Sequence, residues 1–197
     1  MIKLLAADVG FRSTGMAIFE HTPEGWQLFD SKCIHTEQGH TVCVRNKRNK
    51  LVKRQLSYVA VDDVRRSEFM ATEILNYFLE NQCQALACEI PNGGAQSAAA
   101  QKCMGLATGI IAVVHVALRC PAEWITPNES REAAGWVKKD HPGADTNELK
   151  RFVMAAMEAK YPAISEQLIK DKEHIADACA TFEAARGRDM VKQLEAA

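Results

Sequence analysis

Seven cysteines stand at positions 33, 43, 83, 88, 103, 120 and 179, yet no two have Cys-x-x-Cys spacing and no Cys/His cluster stands at zinc spacing. That excludes the usual signature of a zinc module and leaves reduced, mostly buried thiols acting as small hydrophobes. Excess charge of one sign is also missing: the formal net charge is −1, which gives no global sign of a polyanion partner. The longest apolar run, Leu106 to Leu118, contains Gly109 and His115 and falls short of the ~20 residues that span a bilayer. A basic leader with a small-residue cleavage site is absent, and the chain enters a strand pattern within two residues. A cytoplasmic protein with no membrane partner is expected. With no internal repeat or low-complexity linker, the 197 residues, 47% hydrophobic and 25% charged, read as one domain over 1–197.

What is present begins with strands. Residues 2–8 and 14–20 are apolar and strand-like, joined by a short link from Val9 to Ser13 that suits a hairpin. A third strand is expected from Trp26 to Ile34. Charge is then uneven: in RNKRNKLVKR, Arg45 to Arg54, six of ten residues are basic and none is acidic. Thr41 to Val44 and Leu56 to Val61 read as the arms of a hairpin around this stretch, an insertion over about 41–61 with turn chemistry from Asn46 and Asn49.

From Asp62 the apolar period turns helical and runs to about Gln82. A strand, Ala85 to Ile90, is stopped by Pro91-Asn92-Gly93-Gly94, and an Ala-rich helix from Ser97 to Leu118 is apolar on most sides. Glu123 to Ile125 makes a last short strand. Thr126, Pro127 and Glu129 form a helix start with a capping box, and Asp145 with Glu148 repeats it for a helix over Thr146 to Lys160. The final strong helix is expected from Glu173 to Arg186, ended by Gly187. This order predicts an α/β fold with a mixed sheet.

Three acidic positions carry the chemistry. Asp8 shares a strand face with Leu4 and Ala6, and Glu89 lies opposite in parity to Leu86, Cys88 and Ile90. An ionised carboxylate in a central strand is costly unless it is paired or bound to a metal. His174 and Asp177, three apart in EHIADACATFEAA, point from one helix face amid small and apolar neighbours. Carboxylates with an imidazole suit Mg²⁺ or Mn²⁺, and two ions ~4 Å apart would activate a water and stabilise the leaving oxygen of a phosphodiester. Each item alone has a plainer reading. Asp8 can cap the amides of Gly10 and Phe11, Glu89 can pair with a lysine, and His174 with Asp177 can be a surface pair.

Taken together, the residues resemble the RuvC-type Holliday-junction resolvases of the RNase H-like superfamily. Asp8-Val9-Gly10-x-x-x-Thr14-Gly15 is similar to the family's Asp-Pro-Gly-x-x-x-Thr-Gly, with Val9 for the proline. Ala87-Cys88-Glu89 resembles its strand-four acid, and Ile125-Thr126-Pro127 with Arg131, then Lys150-x-x-Val153, resemble segments carrying DNA-contacting basic residues. His174-x-x-Asp177-Ala178-x-Ala180 resembles the C-terminal metal motif. The likeness covers roughly residues 2–187. It implies a five-stranded mixed sheet flanked by helices, with the basic hairpin as an addition. It implies a two-metal Mg²⁺ site, with Mn²⁺ able to substitute, at Asp8, Glu89, His174 and Asp177. His174 is either a ligand or a base that orients water, and Thr14 with Gly15 would close the turn into strand two.

The implied partner is branched DNA, gripped by Arg12, Arg131 and Lys150 and by the hairpin residues Arg45, Lys47, Arg48, Lys50, Lys53 and Arg54. The protein would act as a homodimer through the helix beginning near Ser97. After Glu89 the family often carries an aromatic wedge, and here Ile90-Pro91-Asn92-Gly93-Gly94 has none. Competing readings are a fork, flap or RNA/DNA-hybrid nuclease of the same fold, a junction binder without catalysis, and a sugar-kinase or actin-like ATPase. The last needs a second domain that 197 residues leave no room for.

Overall fold

The computed structural model describes residues 1–39, 41–45, 50–55, 57–91 and 97–196, with backbone alone at 41–45 and 51–55. Its main sheet uses β1 (Ile2–Val9), β2 (Ser13–Thr22), β3 (Gly25–His35), β6 (Ala85–Glu89) and β7 (Ala122–Ile125) in the order β3-β2-β1-β6-β7. β1, β2 and β3 are antiparallel neighbours, while β6 and β7 run parallel to β1. This is the expected five-stranded mixed sheet.

Alternation along β1 explains the two helical layers. Leu4 and Ala6 face one core with Ala17, Phe19, Ala85 and Ala87, and Leu5, Ala7 and Val9 face the other with Met16, Ile18, Leu86 and Cys88. The first core is closed by α3 (Pro127–Ala133), α4 (Thr146–Lys160) and α5 (Ile169–Arg186), the second by α1 (Val59–Glu80) and α2 (Ala98–Leu118). α5 is buried on most of its circumference, and its Phe182 ring stacks on Phe19 with centroids 3.7 Å apart. A short α6 (Asp189–Glu195) follows it.

Caps fall where the sequence puts them. Thr126 and Glu129 form the reciprocal box at α3, whereas the expected box at α4 is half formed, with Asp145 accepting from the Glu148 amide at 2.8 Å. Other boundaries are corrected. The hairpin strands are β4 (Thr41–Arg45) and β5 (Leu51–Gln55), a two-stranded sheet of their own in which Thr41 pairs with Gln55. Of the expected second arm, Leu56 to Val61, Leu56 lies outside the described residues and the rest is not a strand: Val59 to Val61 open α1, with Val59 and Val61 exposed. A short run of branched apolar residues fits either element, and here the helical period extends three residues upstream of Asp62. Similarly α5 starts at Ile169, four residues before Glu173, because its first turn holds Lys170, Asp171 and Lys172 and hides the apolar period.

α2 falls where the helix from Ser97 to Leu118 is expected, with Ser97 as its N-cap. Its 21 residues have a best-window mean hydropathy of 1.5, which suffices in length and composition to cross a membrane. Its place in the topology argues otherwise. α2 joins β6 to β7, parallel strands hydrogen-bonded side by side, and such strands require a crossover helix laid on the sheet. Ala107, Ile110, Ile111 and Val114 pack there, while Val113 and Val116 stay exposed.

Candidate active site

Strand pairing brings the first two acids together. Parallel register sets Asp8 of β1 directly opposite Glu89 of β6, and antiparallel register sets it opposite Gly15 of β2. Adjacent strands lie ~4.8 Å apart, so both carboxylates rise from neighbouring points on the face covered by α5. The turn-capping alternative for Asp8 meets a different bond: the Gly10 amide donates to the Ser13 carbonyl at 3.0 Å.

α5 lays His174 and Asp177 over this row. It can come so close because Gly15 has no side chain: a Cβ there would stand 1.9 Å from the His174 carbonyl oxygen. Thr14 closes the turn into strand two as expected, while Gly15 also admits the helix. Both lie inside β2, and the buried Thr14 hydroxyl donates back to the Gly10 carbonyl at 3.3 Å. His174 Nδ1 then lies 3.8 Å from Asp8 Oδ2, each side chain partly exposed.

Charge in this space is frustrated. Burial, and after it the charge of Asp8, push Glu89 up to about 7, with Ser130 and Arg131 pulling the other way. Burial first, then Asp8, Glu89 and Glu173, hold Asp177 well above the ordinary carboxylate range, and Lys150 opposes them. Crowded carboxylates either keep protons or gather around a cation. Three carboxylates and an imidazole make an oxygen-rich donor set that fits Mg²⁺ or Mn²⁺. Asp8, Glu89, Asp177 and His174 are the residues that would hold it.

Two of the expected basic residues join them. Arg131 and Lys150 line the same small cavity as Glu89 and Asp177. Lys150 is ion-paired with Glu173, and Arg131 donates to Asn128 Oδ1 at 3.4 Å. Arg12 is exposed in the β1–β2 turn and lines a neighbouring groove with His174, Arg66 and Lys102. In the hairpin, Arg45 lies in β4 and Lys53 and Arg54 in β5, while Lys50 is exposed beside them. Lys47, Arg48, Asn46 and Asn49 lie outside the described residues, as does Asn92-Gly93-Gly94 of the expected wedge segment.

Sequence reading missed the polar support behind the acids. Buried Ser130 Oγ lies 3.4 Å from Thr181 Oγ1, which donates to the Asp177 carbonyl at 2.9 Å. This ties α3 to α5 at the level of the site. Nothing in their spacing marks them, because the two residues are 51 apart in sequence.

No protein-family model matches the sequence, and no curated protein does. Solved structures do match. Thermus thermophilus RuvC in complex with a Holliday junction substrate superposes with a TM-score of 0.57 at 14% identity, over 93% of this chain and 92% of that one. The yeast mitochondrial Holliday junction resolvase Ydc2 gives 0.54 at 9% identity, over 97% and 83%. The Fowlpox virus resolvase bound to Holliday junction DNA gives 0.51 at 10% identity, over 95% and 100%. The chain therefore shares the fold of these structures, a five-stranded mixed sheet flanked by helices.

Proposed function

We propose that the protein is a divalent-metal-dependent endodeoxyribonuclease that resolves four-way or other branched DNA junctions by paired phosphodiester hydrolysis. The observation that carries this reading is the register of Asp8 opposite Glu89 beneath Asp177 and His174 of α5. The similar Thermus thermophilus and Fowlpox virus proteins were each solved with Holliday junction DNA, which supports the choice of substrate class.

Mg²⁺ at these four residues, replaceable by Mn²⁺, would supply an activated water and neutralise charge on the leaving oxygen. The protein's own groups orient the reaction. Arg131 and Lys150 hold phosphates flanking the scissile one, with Lys150 exchanging its Glu173 partner for the DNA. His174 beside Asp8 completes the ligand set or orients the water. Arg12 and the hairpin cations, Arg45 through Arg54, track the backbone and add affinity without base readout.

The whole chain, 1–197, acts as one cytoplasmic nuclease unit carrying the hairpin as an insertion. Four-way junctions present two scissile phosphates related by approximate two-fold symmetry, which suits a C₂ homodimer. α2 is the contact surface. Its Gly105 and Gly109 leave open space, with nothing among the described residues within 4 Å of an added Cβ, and exposed Val113 and Val116 extend the apolar face.

The test is Mg²⁺-dependent cleavage of synthetic four-way, three-way, flap and RNA/DNA-hybrid substrates side by side. Symmetric paired nicks in the four-way junction are expected. Preference for the flap or the hybrid would reassign the substrate, and no cleavage of any would leave a binding protein.

A further inference from the structure

We propose that Cys33, His35 and Asp171 form a second metal site, separate from the carboxylate cluster, that takes a borderline divalent ion of the Zn²⁺ type. Cys33 and His35 flank Ile34 on β3 and so share the face under α5, while Ile34 is buried on the opposite side. Asp171 reaches the same point from the first turn of α5. Its Oδ1 lies 2.6 Å from His35 Nε2, and Cys33 Sγ lies 3.5 Å from that same nitrogen. One donor atom from each residue lies within 4.8 Å of the others.

Orientation supports a ligand role for the imidazole. Ser13 Oγ lies 3.1 Å from His35 Nδ1, which leaves Nε2 facing the thiol and the carboxylate. Metal-bound histidines are fixed by such a partner on the other ring nitrogen. With Zn–N at about 2.0–2.1 Å and Zn–S at about 2.3 Å, an ion among the three needs only a small opening of the His35–Asp171 contact. The ion would stand where the hydrogen bond now runs. Solvent has access, since the His35 and Asp171 side chains are 33% and 14% exposed, and a water can take the fourth position.

Donor chemistry separates this site from its neighbour. Sulfur with imidazole selects zinc-like ions over Mg²⁺, whereas three carboxylates with one imidazole make a harder, oxygen-rich set that suits Mg²⁺ or Mn²⁺. The two sites are linked through one residue. Cys33 pairs with Gly15, and Gly15 with Asp8, so they stand two strand spacings apart, about 10 Å. His174 crosses over Gly15 between them, 3.8 Å from Asp8 and with its ring centroid 6.2 Å from that of His35. An ion at the second site would pin the first turn of α5 to β3 and so fix the end of the helix that carries His174. Binding transfers the Cys33 thiol proton to solvent and leaves the oxidation states unchanged.

Co²⁺ is the probe, because a thiolate ligand gives it a charge-transfer absorption in the near ultraviolet that oxygen ligands do not. The full-length protein should show this band on Co²⁺ titration, lose it to added Zn²⁺ and keep it in millimolar Mg²⁺. Cys33→Ser should abolish it, His35→Ala and Asp171→Asn should weaken Co²⁺ binding at least tenfold, and Ser13→Ala should weaken it about tenfold. The double variant Glu89→Gln/Asp177→Asn should keep the band, which makes the result independent of any nuclease activity. Absence of the band in the wild type would overturn the proposal. So would its survival in a Cys33→Ser protein with native circular dichroism, or its loss in the double carboxylate variant. Should Cys33→Ser fail to fold, an unchanged Co²⁺ affinity in His35→Ala would overturn it equally.

Discussion

Gly15 and the His174 backbone occupy one place: a Cβ on the glycine would stand 1.9 Å from the His174 carbonyl oxygen and 2.2 Å from its carbon. The obstacle is helix backbone, which cannot rotate aside. Gly15→Ala must therefore lift α5 from the sheet, at a cost of about 1–3 kcal/mol. Denaturant unfolding should register that loss, and cleavage should fall much further than stability because Asp177 moves away from Asp8 and Glu89. A variant with wild-type cleavage would show that α5 need not sit so close.

Asp8→Asn, Glu89→Gln and Asp177→Asn should each reduce hydrolysis at least a hundredfold and leave junction binding within a few-fold. On the proposed function each would remove a metal ligand without touching Arg131, Lys150 or the hairpin. Gel-shift and cleavage assays on the same junction separate the two effects. A single variant that cuts at near wild-type rate would remove that residue from the ligand set.

The raised carboxylates predict how metal and pH combine. Glu89 and Asp177 have folded values above their unfolded ones, so unfolding releases protons between the two and the metal-free protein loses stability as pH rises. For Glu89 the window runs from its ordinary value of 4.5 to about 7. Mg²⁺ relieves the repulsion only where the protons have left. Its effect on Tm should therefore be larger at pH 8 than at pH 5.5, and equal shifts at both would speak against binding at these carboxylates.

Replacing Lys47, Arg48, Lys50 and Lys53 by Ala should weaken binding to all junction sequences alike. Each lost phosphate contact lowers the slope of log affinity against log salt by about 0.9. Fluorescence anisotropy at several salt concentrations measures it directly. An unchanged slope would leave the hairpin without a role in DNA binding.

Gly109→Leu tests the dimer. Open space around that Cα means that the monomer can hold the side chain, and replacing a helical glycine is favourable by up to about 1 kcal/mol. Close helix–helix approach would be blocked. Light scattering should then give a monomer with an undiminished Tm, and an intact dimer would place the interface elsewhere.

Strand alternation made the acids legible in the sequence: the parity of Asp8 with Leu4 and of Glu89 with Ala87 survives as one shared face of the sheet. The spacing of His174 and Asp177 was readable for the same reason on a helix. What stayed hidden depends on contacts between distant segments. Cys33-x-His35 has no zinc spacing until Asp171 arrives from 136 residues away, and Ser130 meets Thr181 only when α3 docks on α5. The hairpin arm was misplaced because Tyr58-Val59-Ala60-Val61 suits strand and helix alike, and only the stripe of Arg66, Met70, Ile74 and Tyr77 settles it as the start of α1.

Because the acid cluster joins residue 8 to residue 177, it is also a timing device in biosynthesis. β1, β2, β3 and β6 can leave the ribosome and pair while α5 is still untranslated, and throughout that interval Asp8 and Glu89 lack their third carboxylate. α5 is covered on most sides once in place, so its apolar residues are buried only when it docks on the sheet. A nascent chain therefore carries an incomplete acid cluster until its last long helix closes, and a truncation that removes α5 leaves Asp8 and Glu89 without Asp177 and His174.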